Sequence, residues 1–151
     1  MAPPASYLYD NTIGNFLKGL NLEANTYIVN LYAGGSFVFD GTHATKAAVD
    51  AANTQLVTGN GYTQNAKALT GVSVVVSGND AAFTANNVEW NAAGGSIGPA
   101  RGAVVFNTSR SGSPPVIAVD FGGQKTADDG APLRIIWAAE GIIAVQVTNP
   151  S

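Results

Sequence analysis

Short runs of β-branched and aromatic residues, each closed by a glycine-bearing turn, constrain this chain more than any other feature. From residue 60 onward the runs fall at 68–76, 82–85, 88–90, 103–107, 116–121, 133–138 and 142–147. Between them lie Ser77-Gly78-Asn79-Asp80, Gly94-Gly95, Ser111-Gly112-Ser113-Pro114-Pro115, Gly122-Gly123 and Asp128-Asp129-Gly130. Residues of these types suit a pleated, half-buried surface, and the turn residues supply the backbone angles that reverse a chain. Turns at such even spacing predict a mainly β fold, either an antiparallel β-sandwich or a Greek-key barrel, rather than βαβ units. No internal repeat and no second domain is visible, so residues 7–151 read as one β-sandwich domain.

The first third of the chain is more varied. Residues 1–6 hold the adjacent Pro3 and Pro4, which cannot enter a helix interior or a central strand. They read as an extended N-terminal arm or as a frayed terminus, anchored at its base by Tyr7, Leu8 and Tyr9. Ile13, Phe16, Leu17 and Leu20 follow helical spacing, and Asp10, Asn11 or Thr12 can cap the start, which predicts a short amphipathic helix over 10–20. The TYIVNLY run at 26–32 predicts a buried strand that Gly34-Gly35 ends. A short strand is expected at 36–39, before the Asp40-Gly41 turn. Ala44, Ala47, Ala48, Ala51 and Ala52 then make a narrow stripe, which predicts an alanine-rich helix around 44–56 lying close against a sheet or a neighbouring subunit. Asn60-Gly61 is a type I′ turn signal between Val57 and Tyr62.

Composition narrows the function classes. With 151 residues the chain is long enough to bury a continuous core without staples. Charged residues make up 11% of it, less than half of the roughly 25% common in soluble domains. So few charges leave little to hold neighbouring molecules apart, which fits extended contact with other subunits or with copies of itself. The net charge is −3 and no Lys/Arg cluster occurs, which argues against nucleic acid as a partner. There is no cysteine, so disulfides, thiolate metal sites and thiol nucleophiles are excluded. The start MAPPASYLYD lacks the basic and apolar regions of a secretory signal, and no apolar run approaches the ~20 residues that cross a bilayer. The reading is a chain made and used in a soluble compartment, without a membrane partner.

Few residues offer chemistry. His43, the single histidine, stands at a predicted helix start with no Ser or acid at an interpretable spacing. The run Gly94-Gly95-Ser96-Ile97-Gly98-Pro99 has the glycines of a phosphate loop, but neither the Lys nor the helix that should follow it, so it reads as a turn. Asp120, Asp128 and Asp129 are oxygen ligands of the kind calcium takes, yet their spacing is not that of an EF-hand and the last two make a good turn. Glu89 and Glu140 resemble a glycosidase pair only in residue type, and they read as solvent-facing acids. Trp90 and Trp137 read as core or interface anchors. No catalytic, cofactor or metal residue is assigned. The candidate partner contacts are Pro3, Pro4, Tyr7 and Tyr9.

Several longer phrases occur in a definite order. A helix-like NTIGNFLKGLNL leads into TYIVNLY, then GNGYTQNAKALTGVSVVV, NNVEWNAAGGSIGPARGAVVFN and PVIAVDFGGQKTADDGAPLRIIWAAEGIIAVQV. This series resembles a widespread family of small tailed-bacteriophage virion proteins, over most of the chain. The family phrases it matches are a Gly-Tyr-Thr turn before a Leu-x-Gly-Val strand, an x-Val-x-Trp strand, an Ala-Val-Val-Phe/Tyr-Asn strand, and Asp-Phe-Gly before an Asp-Gly turn. The alanine stretch before Leu56 is longer and more helical than the family pattern. The resemblance implies a non-enzymatic particle component with a β-sandwich fold and no cofactor. Its size is similar to that of capsid decoration or cement proteins, which sit on the outer capsid surface and bridge major capsid subunits. On that expectation the chain is made in the host cytoplasm, resides in the virion, and is a homo-oligomer or lattice-bound. Its partner is then the major capsid protein, copies of itself, or both. The alternative within the virion is a tail or tail-fibre component that recognises a host surface glycan through Trp90, Trp137 and the tyrosines. A small hydrolase built on His43, Glu89 or Glu140 is the third reading.

Overall fold

The computed structural model describes residues 5–17, 21–78 and 80–146. In chain order its elements are β1 (Ala5–Leu8), α1 (Asp10–Leu17), β2 (Tyr27–Ala33), α2 (Lys46–Ala52), β3 (Thr54–Gln55), β4 (Ser73–Ser77), β5 (Asp80–Thr84), β6 (Val88–Asn91), β7 (Ile97–Asn107), β8 (Pro115–Ala127), β9 (Pro132–Ile135) and β10 (Ile143–Val145). The protein is mainly β, and its strand pairs are antiparallel. A five-stranded sheet has the order β1-β8-β7-β2-β3, and two smaller open sheets are β10-β5-β4 and β6-β9.

The central strands explain the architecture. β2 pairs with β7 from Tyr27↔Asn107 to Tyr32↔Gly102, and both are apolar at nearly every position. Side chains alternate faces along a strand, so a continuous apolar run demands cover on both sides. One face presents Tyr27, Val29, Leu31, Ala103 and Val105, and packs with Phe83, Trp90, Leu133 and Ile135 of the two small sheets. That is the sandwich, and it holds the larger core. The opposite face presents Tyr32, Val104, Phe106 and Ala118 to Tyr9 and to Val49 of α2, with Phe37 and Phe39 at the rim.

Turn chemistry holds where backbone geometry leaves one choice. Asn60 and Gly61 both adopt positive φ, 54° and 95°, with Gly59 and Tyr62 bonded to each other across them. A Cβ at Gly61 would lie 2.1 Å from the Asn91 carbonyl oxygen, so glycine is required twice over. Tyr62 then reaches back, and its hydroxyl accepts the Leu31 N–H at 3.0 Å. Asn30, fully buried in β2, donates to Asn65 Oδ1 at 2.8 Å and accepts the Asn65 N–H at 3.0 Å. The Tyr62 bond closes the β2 edge that the short β3 leaves open. It does so together with the Val29 N–H donating to the Lys67 carbonyl at 2.9 Å and the Leu69 N–H to the Tyr27 carbonyl at 3.0 Å.

Several expectations change. Gly122-Gly123 is not a turn: β8 runs through it to Ala127, advancing five residues (Asp120 to Lys125) while β7 advances two. The glycines form a bulge, because the strand finds β7 again at Lys125↔Ala100. The expected strand at 68–76 begins only at Ser73, since Gly71 takes φ 64° against Asn86. Residues 36–39 are irregular, with Val38 bonded at both N–H and C=O to the Asn53 side chain in place of a strand partner.

The alanine-rich helix is also shorter than 44–56, running from the Thr45 N-cap to Ala52. Val49 is its buried residue; Ala44, Ala47, Ala51 and Ala52 face outward. A valine side chain gains more from burial than an alanine methyl, by about 0.8 kcal/mol per CH₂, so Val49 sets the rotation of the helix. In α1, Ile13 of the expected apolar stripe is exposed, and Thr12 is buried instead, its hydroxyl donating toward the Val116 carbonyl at 3.1 Å. Leu20 and Val147 lie outside the described residues.

Candidate functional site

The candidate partner contacts divide on inspection. Pro3 and Pro4 lie outside the described residues. Ala5 and Ser6, placed in the arm by sequence, are paired into the sheet opposite Asp120 and Val119. Tyr7 is 40% exposed and stacks on Phe39 with ring centroids 4.9 Å apart. Tyr9 corrects the sequence reading: it is wholly buried in the smaller core, so it has no surface to offer a partner. Burial, and then the Asp40 charge, push its phenol well above the ordinary range. Among the described residues its hydroxyl has no hydrogen-bond partner.

The residues with catalytic potential are held separately. His43 leads toward α2 on the smaller-core side, with Nε2 3.8 Å from Asp40. Asp40 accepts both the hydroxyl and the N–H of Thr42, and those bonds hold its carboxyl below the usual range. Glu89 is on β6, on the other side of the main sheet, in an ion pair with Arg134 of β9 that lowers its pKa. Glu140 lies in the turn before β10, beside a shallow cleft lined by Val75, Ala82 and Ala144. Among the described residues, His43, Glu89 and Glu140 are held apart from one another and do not face across one cleft.

The aspartates are used locally. Asp120 accepts the Gly122 N–H at 2.9 Å and forms an ion pair with Arg101, whose Nη1 stands 3.0 Å from Oδ1 and whose Nη2 donates to Oδ2 at 3.5 Å. Asp129 accepts the Gly94 N–H at 2.9 Å. Among the described residues no group of three or more His, Asp or Glu could hold a metal ion. The Gly94-Gly95 turn donates to that aspartate, and Asn60 Nδ2 bonds the Ser96 carbonyl, so the loop is tied into the framework and leads into β7. No helix among the described residues is long and apolar enough to cross a membrane.

Trp90 is 2% exposed. Its ring packs against Tyr62, with centroids 6.0 Å apart, and has the Lys67 ammonium 5.6 Å from its centroid. It anchors the core and offers no face for a sugar to stack on. Trp137 is half-buried and donates from Nε1 to the Asn86 carbonyl. A groove of about 360 Å³ opens between β8 and β9, with Val119, Phe121, Leu133 and Ile136 among its walls.

The surface feature that sequence reasoning passed over is the β10-β5-β4 sheet. Val75, Val76 and Val145 are 50%, 71% and 55% exposed there. Cross-strand register sets Val76 and Val145 on either side of Ala81, in one apolar row. The signal was present in the uncharged Ser-Val-Val-Val-Ser run, but apolar alternation alone does not show which residues overhang the core. Comparison with protein-family models, curated proteins and solved structures returns no match for this chain.

Proposed function

We propose that this chain is a structural component of a bacteriophage particle, a capsid decoration (cement) protein that binds and stabilises the major capsid lattice. One observation carries the reading. The phrases behind the resemblance fall on the framework: Val-Glu-Trp is in β6, Ala-Val-Val-Phe-Asn ends β7, Val-Asp-Phe-Gly lies in β8, and Asp129-Gly130 is the turn before β9. The likeness therefore concerns a scaffold, and a scaffold acts through its surface. The low charge content and the exposed valines of β4 and β10 support the same reading. Each copy would make modest contacts, and a symmetric lattice would add them together.

The test is titration of undecorated capsids with the full chain and with a version lacking residues 1–4, which leaves β1 intact. Saturable binding with raised capsid stability is the expected result. Weaker occupancy by the truncated form would assign a role to Pro3 and Pro4; equal occupancy would remove them from the mechanism. Absence of saturable binding by the full chain would sink the proposal.

A further inference from the structure

Strand edges expose unpaired N–H and C=O groups, and proteins ordinarily close them with charges, prolines, bulges or a covering loop. β3 and β10 are edges of two and three residues. β4 is different. It forms five residues of the β10-β5-β4 sheet edge, contains no charge and no proline, and pairs with β5 without irregularity from Ser73↔Thr84 to Ser77↔Asp80. Among the described residues its cover is Glu23, whose Oε1 accepts the Val74 N–H at 2.6 Å and the Ser73 hydroxyl at 3.3 Å. The Val74 N–H therefore points away from β5. Alternation along the strand puts the backbone groups of Val76 on the same outward side.

The sequence of this edge reads the same in both directions: Ser73-Val74-Val75-Val76-Ser77. A second copy laid antiparallel about Val75 sets Val74 against Val76 and Ser73 against Ser77 in both halves. Each outward donor then meets an outward acceptor, as a two-fold symmetric contact requires. Val75 meets its own counterpart, adding a cross-strand pair of β-branched residues. We propose that β4 is a self-pairing edge, through which two copies of this chain join into one continuous sheet, and that Glu23 guards it by occupying the Val74 N–H. The palindrome and the absence of charge favour a second copy over a foreign strand.

Two five-residue edges bury on the order of a few hundred Å², well below the ~800 Å² per partner of a stable complex. The contact is therefore weak in dilute solution and gains strength where many copies lie side by side. It stands apart from the shell reading: capsid binding can fail while self-pairing persists, and the reverse.

Sedimentation equilibrium of the full chain over a wide concentration range tests it. Wild type should show weak dimerisation, and Glu23→Ala should tighten it roughly tenfold by freeing the donor. Glu23→Gln, which keeps an acceptor oxygen in reach, should stay near wild type. Val76→Lys should abolish dimerisation, whereas Val57→Lys, at an equally exposed valine elsewhere, should not. Because the chain has no cysteine, Val75→Cys introduces a single thiol. Oxidised glutathione should link it to its symmetry mate, since facing residues of a non-hydrogen-bonded pair lie within disulfide reach. A chain that stays monomeric in both wild type and Glu23→Ala overturns the proposal. So does dimerisation that Val76→Lys leaves intact, that Val57→Lys removes equally, or that never yields the Val75→Cys crosslink.

Discussion

The two faces of the five-stranded sheet are built from the same strands yet covered in opposite ways. On the sandwich face, Val29, Leu31 and Val105 meet regular strands, and the cover is itself hydrogen-bonded into sheets. On the other face, Tyr32, Val104 and Phe106 meet a seven-residue helix and an irregular loop. That cover is tied down by polar side-chain bonds: Tyr32 to Asp50 at 2.7 Å, Asn53 to Val38, and Thr12 to Val116. A sheet supplies its own backbone partners, whereas a loop must borrow them from side chains. The smaller core should therefore depend on single polar contacts to a degree the larger one does not.

The contrast can be broken by mutation. Trp90→Ala should cost most, about 3–5 kcal/mol by urea denaturation, because the rigid strands around it cannot collapse into the space. A loss below ~1 kcal/mol would remove Trp90 as the anchor of β6 and β9. Phe106→Ala should lie near the lower end of that scale, about 3 kcal/mol, since an irregular cover can close over the cavity. A larger loss than Trp90→Ala would mean the two covers are equally stiff.

Two conservative changes separate polar from apolar support in the smaller core. Tyr32→Phe should cost about 1–3 kcal/mol, because Asp50 loses a buried donor. Tyr9→Phe should be close to neutral, because the Tyr9 hydroxyl has no partner among the described residues to lose. Equal effects from the two would contradict the polar-tie account.

Alkaline pH sharpens the same comparison on the sandwich face. Burial pushes the Tyr27 phenol from 10.0 up to about 12. Below pH 10 both folded and unfolded chains keep the proton, and the contribution is complete. Between about 10 and 12 the unfolded chain releases its proton first and binds fewer than the folded one, so stability falls as pH rises. Urea midpoints across that window should decline less steeply in Tyr27→Phe. The smallest effect is expected at Ile13→Ser, within ~0.5 kcal/mol, since Ile13 is exposed on α1.

Much of the fold was legible. The Asn60-Gly61 turn was readable because two consecutive positive φ angles admit few residues, and Trp90 because an indole in a β run has little choice but burial. Other features depended on distant partners. Gly122-Gly123 carries the composition of a turn, and only its return to β7 makes it a bulge. The alanine stripe has a helical period, but Val49 decided which side faces inward. Of the candidate contacts, Tyr7 and Tyr9 look alike in sequence, and packing against Phe39 and Val104 buried one and left the other exposed. The palindrome in β4 was printed in the chain, while Glu23, 51 residues away from Val74, was not readable as its guard.

By itself, then, the sequence determined the mainly β character, the position of the Asn60-Gly61 turn, and the continuous apolar run of the central strand β2. These follow from backbone sterics and side-chain shape within a few residues. The tertiary structure decided what covers each face of the main sheet, strands on one side and a helix and loop on the other, and which edge is left nearly bare among the described residues. Those outcomes rest on contacts between residues far apart in the chain, where one added partner changes a turn into a bulge or an exposed ring into a core.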